Sequence, residues 1–156
     1  MTAPKTILLK SPEDTSDLAL QIGQFLKPGD TLLLEGPIGS GKTHFARALI
    51  QSFMVTPEDV PSPTFTLVQV YDTPLGEVWH SDLYRLSSPE EIEELGLIDA
   101  FETSICLIEW PEKLGDSTPN SALTLSFRSD TKAEDIRHLN LKWTDPKWAR
   151  KLEFIP

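Results

Sequence analysis

One segment of the sequence has the residue types and the spacing of a phosphate-binding loop. Residues 36–43 read GPIGSGKT and match the pattern G-x-x-x-x-G-K-[ST]. In this pattern, glycines let successive backbone N–H groups point at an anion, and the lysine reaches the β- and γ-phosphates of a nucleotide. The hydroxyl after the lysine ligates magnesium. The candidate nucleotide-binding residues here are Gly39, Ser40, Gly41, Lys42 and Thr43.

Two carboxylates are candidates for the acidic residue that a phosphate-binding loop needs on its metal side. Glu109 follows the apolar run 105–108, and Asp82 follows residues 78–81. Each therefore leaves a predicted strand at the edge of the sheet where ligands bind in α/β folds. The alternative for both residues is an ordinary surface acid after a strand. Either carboxylate is suited to hold the metal or to orient an attacking water.

Other side chains near the loop have both a functional and a structural interpretation. Ser62, Thr64 and Thr66 lie in or beside a proline-rich segment, where NTPases often place a loop that senses the γ-phosphate. A simple turn is equally compatible with these residues. Trp110 has a side chain that can stack on an adenine, although a tryptophan beside a buried strand more often belongs to the core. A histidine in a strand, such as His80, more often makes ordinary hydrogen bonds within the protein than acts as a ligand.

The elements around these residues predict an α/β fold. Residues 31–35 form an apolar run without alternation, which is typical of a strand buried on both faces, and residues 42–54 show helical spacing. Residues 66–71 and 77–80 predict a hairpin with a five-residue connection. Further strands are expected at 7–9, 104–108, 123–127 and 138–142, and further helices after Ser11, at 89–95 and at 145–152. We therefore predict a P-loop NTPase fold: a mostly parallel sheet flanked by helices, with an antiparallel hairpin or edge.

Composition and charge exclude several classes of protein. The chain has 156 residues, one cysteine, and 14 Lys+Arg against 24 Asp+Glu, for a formal net charge of −10. Such a surface repels phosphate backbones and anionic lipids, so we expect no direct tight binding to nucleic acid and no membrane association. Cys106 cannot form an intramolecular disulfide, and no apolar run approaches the roughly 20 residues that span a bilayer. The sequence predicts a cytoplasmic protein with a single domain over residues 1–156, in which residues 130–156 form a C-terminal extension without a recognisable motif.

Five ordered motifs carry a resemblance to a known family. They are residues 36–43, 62–68 (SPTFTLV), 80–86 (HSDLYRL), 94–97 (ELGL) and 105–111 (ICLIEWP). In order and spacing they resemble the TsaE (YjeE) family, which are small bacterial P-loop ATPases required for threonylcarbamoyladenosine formation in tRNA. The resemblance implies an ATPase that acts on the TsaD–TsaB pair, which transfers threonylcarbamoyl to adenosine of ANN-decoding tRNAs. It also implies ATP and Mg²⁺ as cofactors.

The same resemblance assigns roles to individual residues. Thr43 and Glu109 match the magnesium ligands of the family, Lys42 its phosphate lysine, and Asp82 its second acidic position. His44 stands where the family most often has a second small hydroxyl residue. The remaining positions expected to contact ATP or to take part in catalysis are Ser11, His44, Ser62, Thr64 and Trp110.

These observations predict Mg²⁺-dependent ATP hydrolysis in which Asp82 or Glu109 orients the attacking water. An arginine finger is an arginine that stabilises the charge of the transition state in phosphoryl transfer. Arg47 lies on the helix after the loop, and Arg85 follows Asp82 in a motif that can serve other roles, so the sequence indicates no arginine finger within this chain. Slow turnover without partners is therefore expected. Two alternatives stay open: a nucleotide-gated binding module, and a small-molecule kinase, which generally has an arginine-bearing lid.

Overall fold

A computed structural model describes residues 5–155, and their strands form one seven-stranded sheet. The strands are β1 (Lys5–Leu9), β2 (Thr31–Glu35), β3 (Val68–Thr73), β4 (Gly76–Asp82), β5 (Ile105–Glu109), β6 (Leu123–Ser129) and β7 (Arg137–Lys142). The helices are α1 (Pro12–Gly23), α2 (Lys42–Phe53), α3 (Glu90–Glu94), α4 (Leu97–Thr103) and α5 (Lys147–Lys151), with a 3-10 helix at Pro111–Ser117. Among residues 5–155, no helix has the length and apolar composition needed to span a bilayer.

The centre of the sheet is parallel and both of its sides are antiparallel. The strand order is β1-β7-β6-β2-β5-β4-β3. β2 pairs parallel with β5 and β6, and β4 pairs parallel with β5. The pairs β3–β4, β6–β7 and β7–β1 are antiparallel. The predicted α/β fold with an antiparallel hairpin is confirmed, but the sheet is mixed rather than mostly parallel, because β7 and β1 extend it in antiparallel fashion.

The β3–β4 hairpin has a tighter turn than the sequence indicates. Its strands extend to Thr73 and from Gly76, so the connection has two residues and not five. The Thr73 hydroxyl donates to the Gly76 carbonyl oxygen (2.8 Å) and accepts from the Leu75 N–H (3.2 Å). Gly76 has φ +107°, which glycine adopts without strain. These local hydrogen bonds explain why the strands continue into the predicted loop.

The phosphate-binding loop lies between a buried strand and the start of a helix. Leu32 and Leu34 of β2 are fully buried, and burying a leucine stabilises a fold by about 1.5–3 kcal/mol. Gly41, which precedes α2, has φ +109°, and Gly36 has φ +141°. A Cβ on Gly36 would lie 2.6 Å from the carbonyl oxygen of Phe127 in β6. Glycine at these two positions therefore lets the loop pack closely against β6 and enter α2.

Helix α4 is an element that the sequence does not indicate. Gly96 has the properties of a stop for the preceding helix, and it does separate α3 from α4 with φ +81°. The chain nevertheless resumes a helix at the next residue. Leu97 and Ala100 of α4 are buried in the same cluster as Ile92 of α3, so packing of these apolar side chains stabilises both short helices.

The C-terminal segment contributes to the sheet and to its core. β7 lies between β1 and β6, and the expected C-terminal helix is present as α5. Trp148 of α5 is fully buried, and its indole N–H donates to the Ser121 carbonyl oxygen (2.7 Å). Truncating a buried tryptophan to alanine typically costs about 3–5 kcal/mol, so α5 is a structural element of this fold.

Candidate nucleotide-binding site

A cavity of about 530 Å³ lies at the edge of the sheet where β2, β4 and β5 end. Parallel strands present their carboxyl ends at one edge, which brings together side chains that are far apart in the sequence. All of the predicted site residues except Ser40 line this cavity. They are Ser11, Gly39, Gly41, Lys42, Thr43, His44, Ser62, Thr64, Asp82, Glu109 and Trp110.

Lys42 is 4% exposed and brings a positive charge to the cavity. Its Nζ donates to the Gly36 carbonyl oxygen (2.5 Å) and lies 3.6 Å from the centroid of the Trp110 ring, a cation–π contact. Burial lowers the pKa of Lys42, and the negative charge of Glu109 opposes this shift. An ammonium has three donors, and one of them has an oxygen partner among the described residues. The other two are available to an anionic ligand.

Glu109 joins the phosphate-binding loop to the neighbouring strand. It is the last residue of β5 and is 1% exposed. The Thr43 hydroxyl, in the first turn of α2, donates to Glu109 Oε1 at 2.7 Å. His80 Nε2, in β4, lies 2.7 Å from Glu109 Oε2. The structure therefore places side by side the two residues for which the resemblance implies magnesium, and it adds a histidine behind them.

Asp82 lies beside Glu109 and contacts the proline-rich loop. The two residues are paired in the parallel register of β4 and β5, so their side chains point to the same face of the sheet. Asp82 Oδ2 accepts from the Thr64 hydroxyl (3.2 Å), and Oδ1 accepts from the Tyr84 N–H (3.0 Å). The hydroxyls of Ser62 and Thr64 lie 2.8 Å apart. A hydrogen bond therefore links the second carboxylate directly to the loop, whose switch role stays a prediction.

Ser11 and His44 connect the start of α1 to the start of α2 at one side of the cavity. The Ser11 hydroxyl accepts from the Asp14 N–H (3.1 Å) and caps α1. His44 Nε2 lies 2.8 Å from the Ser16 hydroxyl and 3.1 Å from the Pro12 carbonyl oxygen. Both predicted residues therefore have structural partners in α1 while they line the cavity.

Ser40 is the predicted residue that does not line the cavity. Its side chain is fully buried, and a Cβ on Gly36 would lie 2.7 Å from the Ser40 hydroxyl oxygen. Its backbone N–H donates to the Pro37 carbonyl oxygen (3.2 Å). The Ser40 side chain therefore packs beneath the loop, because the turn that exposes Gly39 and Gly41 directs Ser40 inward. The structure therefore gives the Ser40 side chain a packing role, and ATP binding by Ser40, as part of a loop whose backbone N–H groups hold phosphates, stays a prediction.

The lining contains two arginines that sequence reasoning did not place at the site. Arg137 begins β7, and its Nη2 donates to the Gly39 carbonyl oxygen (3.3 Å). Arg85 Cζ lies 4.5 Å from the centroid of the exposed Phe65 ring. Arg85 could have been found from the sequence, because it belongs to the motif at residues 80–86. Arg137 could not, because it reaches the cavity only through the position of β7 in the sheet. The other unexpected lining residues are Pro12, Thr15, Ile38, Tyr84 and Asp135.

The donor set at Thr43 and Glu109 fits magnesium that arrives with a phosphate ligand. Both residues offer hard oxygen atoms, and Mg²⁺ is commonly held by one or two protein oxygens together with substrate phosphates and waters. Within the described part of the chain, no group of three or more His, Cys, Asp or Glu is arranged to hold a metal by itself. The two oxygen donors of Thr43 and Glu109 therefore fit a magnesium ion whose other ligands are phosphate and water oxygens.

Comparison with known proteins identifies the family. Residues 9–138 match the family described as Threonylcarbamoyl adenosine biosynthesis protein TsaE. The chain belongs to the TsaE family. This confirms the resemblance carried by the five motifs, all of which lie within the matched residues. TsaE is a P-loop NTPase family involved in tRNA threonylcarbamoyladenosine biosynthesis.

Several bacterial proteins named "tRNA threonylcarbamoyladenosine biosynthesis protein TsaE" are similar to this chain. The protein from Rickettsia bellii is 41% identical over 121 residues, which are 78% of this chain and 84% of that protein. The protein from Bacillus subtilis is 36% identical over 119 residues, which are 76% of this chain and 73% of that protein. The protein from Rickettsia felis is 46% identical over 106 residues, which are 68% of this chain and 62% of that longer protein.

A solved structure shows the same fold. The crystal structure of YdiB from Bacillus subtilis superposes with a TM-score of 0.81 at 26% sequence identity. The superposition covers 99% of this chain and 95% of that chain. The similarity therefore includes the segment after residue 138, where the family match ends.

Proposed function

We propose that this protein is a Mg²⁺-dependent ATPase that supports threonylcarbamoyladenosine formation in tRNA by acting on a TsaD–TsaB complex. One observation carries the ATPase part: the Thr43 hydroxyl contacts the Glu109 carboxylate beside Lys42 in a cavity at the carboxyl ends of the strands. This arrangement supplies a phosphate ligand and two magnesium ligands at one point. Family membership supports the part in tRNA modification.

In this proposal, different residues of the cavity bind the phosphates, hold the metal and orient the water that receives the phosphoryl group. The backbone of Gly39 and Gly41 and the ammonium of Lys42 bind the phosphates, and Thr43 and Glu109 hold Mg²⁺. Magnesium, when bound, neutralises charge on the β- and γ-phosphates. Asp82 orients the attacking water, with Thr64 fixing one of its oxygens (3.2 Å). Trp110 lines the cavity next to the Lys42 ammonium, and the beginning of α1 at Ser11 lines another part of the wall, where the adenine and ribose bind.

Charge and exposed side chains favour protein partners over direct contact with tRNA. The formal net charge of −10 opposes binding to a phosphate backbone. Near the cavity, Ile38 is 75% exposed and Phe65 is 81% exposed, which suits burial by a protein surface. Arg85 stacks on Phe65 and Arg137 bonds the loop, so neither guanidinium is committed to a γ-phosphate. Turnover is therefore slow until TsaD and TsaB complete the site.

The test is steady-state ATP turnover with and without Mg²⁺, by the chain alone and with purified TsaB–TsaD. We expect slow ATP turnover by the chain alone and a clear increase when TsaB–TsaD is added. In Glu109→Ala we expect no turnover under either condition. Glu153→Ala serves as a matched control, because Glu153 is exposed and lies outside the cavity lining. Turnover that is independent of Glu109 would reject the ATPase site. A turnover rate that stays the same when TsaB–TsaD is added would reject the assignment of these proteins as partners.

A second candidate is a nucleotide-gated binding module, in which the bound nucleotide sets affinity for a partner and hydrolysis is incidental. The hydrogen bond from Thr64 to Asp82 favours it, because it connects an exposed loop to the site. Full tRNA modification by Glu109→Gln, with nucleotide binding retained and hydrolysis lost, would support this function over the ATPase.

A further inference from the structure

His80 lies behind Glu109 and is buried with it. It belongs to β4, two residues before Asp82, so the alternation of the strand places both side chains on the same face of the sheet. In the register of β4 and β5, His80 pairs with Leu107 and Asp82 pairs with Glu109. His80 is fully buried and is absent from the cavity lining. It therefore acts on a ligand in the cavity only through its neighbours.

The imidazole holds one oxygen of the Glu109 carboxylate. His80 Nε2 lies 2.7 Å from Oε2, and a carboxylate oxygen accepts hydrogen bonds, so Nε2 carries the hydrogen. The other oxygen, Oε1, accepts from the Thr43 hydroxyl at 2.7 Å. The carboxylate is thus fixed from two sides, by β4 and by the first turn of α2.

These two contacts respond differently to a ligand in the cavity. The Thr43 hydroxyl is itself a proposed metal ligand, so a bound metal competes with its contact to Glu109. His80 lies outside the lining, so a ligand in the cavity does not compete directly for its contact with Glu109. Among residues 5–155, His80 Nδ1 has no hydrogen-bond partner, so the bond to Glu109 is the polar contact that this side chain makes.

We propose that His80 is a positioning residue of the metal site, which holds the Glu109 carboxylate with Oε1 turned toward Thr43. The inference rests on the proposed function, in which Glu109 and Thr43 hold Mg²⁺. A glutamate has several rotatable bonds, and fixing them in advance reduces the entropy lost when a metal binds. Removing a hydrogen-bond partner of a metal ligand typically costs about 10- to 100-fold in metal affinity or activity.

Two amide variants separate positioning from the burial of a polar group. In His80→Gln the amide nitrogen lies close to the position of Nε2, so we expect the hydrogen bond to Oε2 to be kept. In His80→Asn the side chain is one methylene shorter, so we expect this bond to be lost. Both substitutions introduce the same neutral amide, which makes each the control for the other.

The direct measurement is binding of Mn²⁺, followed by electron paramagnetic resonance, to protein saturated with a non-hydrolysable ATP analogue. We expect His80→Asn to weaken Mn²⁺ binding by about 10- to 100-fold and His80→Gln to stay close to the wild type. Nucleotide affinity in EDTA should be the same in all three proteins. Wild-type Mn²⁺ affinity in His80→Asn, or an equal loss in both variants, would overturn the proposal.

The wild type gives a second readout that does not depend on how the variants fold. With ¹⁵N-labelled histidine, nuclear magnetic resonance should show that the Nε2 proton of His80 persists when Mg²⁺ and the analogue are added. Loss of that proton would overturn the proposal even if the variants are unfolded. A wild type that binds neither the analogue nor Mn²⁺ would instead reject the proposed function, and with it this inference.

Discussion

Two buried carboxylates, Asp30 and Glu109, have contrasting surroundings. Asp30 precedes β2 and its side chain is 5% exposed. It accepts from Lys147 Nζ (2.8 Å), from Lys151 Nζ (2.7 Å) and from the backbone N–H of Lys27 (2.9 Å). The Glu109 side chain is 2% exposed, and its two partners are a hydroxyl and an imidazole.

The difference shows how one functional group, a buried carboxylate, serves structure at one end of β2 and a ligand site near the other end. Burial by itself raises the pKa of Asp30, but hydrogen bonds from Lys147 and Lys151 lower it below its usual range. The Asp30 cluster is therefore complete, and it anchors α5. The Glu109 cluster opens onto a cavity in which Lys42 retains free donors. Variants in the two clusters should therefore affect different properties of the protein.

The largest expected effect is that of Lys42→Ala on nucleotide binding. Each lost hydrogen bond to a charged group costs about 1.5–3 kcal/mol, so losing the ammonium should weaken ATP binding by tenfold or more for each phosphate contact. Calorimetric titration with ATP and Mg²⁺ measures this change. Lys151→Ala is the matched control, because that lysine serves Asp30 and should leave ATP affinity unchanged. Equal ATP affinities in wild type and Lys42→Ala would remove the distinction between the two clusters.

The next effect is that of Asp30→Ala on stability. Breaking a buried ion pair costs about 3–5 kcal/mol, and we expect a loss near 3 kcal/mol because both lysines can turn toward solvent. Urea unfolding measures the free energy, and ATP affinity should stay at the wild-type value. Unchanged stability, or a loss of ATP binding in a folded variant, would show that Asp30 is not a purely structural anchor.

The smallest effect is the pH dependence of the same anchor. Because the native pKa of Asp30 is lowered, its contribution to stability is present above the unfolded value of about 3.9 and is lost as pH falls through the native pKa. The difference in unfolding free energy between wild type and Asp30→Ala should therefore shrink below about pH 4. Urea titrations at several pH values give this difference, and a constant difference down to pH 2 would contradict the lowered pKa.

Features set by neighbouring residues could be predicted from the sequence. The loop at residues 36–43 and helix α2 follow from glycine spacing and helical periodicity, which depend on local backbone geometry. Asp82 and Glu109 could be placed at the same edge of the sheet, because parallel strands have their carboxyl ends at one edge and each residue ends such a strand. Local patterns and this one rule therefore suffice to group most of the site residues around a single cavity.

Features set by distant contacts could not be predicted in this way. Asp30 has the local pattern of a turn after a helix, and its partners Lys147 and Lys151 follow more than one hundred residues later. His80 has the pattern of an ordinary strand residue until the register of β4 and β5 is known. Arg137 reaches the phosphate-binding loop only because β7 joins the sheet next to β6.

The most direct test of the account is calorimetric ATP binding to the wild type and Glu109→Gln, each with Mg²⁺ and with EDTA. Asp30→Asn accompanies them as the variant of the structural carboxylate. We expect one nucleotide per chain, bound more tightly with Mg²⁺ by the wild type and by Asp30→Asn, and no gain from Mg²⁺ in Glu109→Gln. A gain from Mg²⁺ that persists in Glu109→Gln, or no ATP binding by the wild type, would contradict the assignment of this cavity.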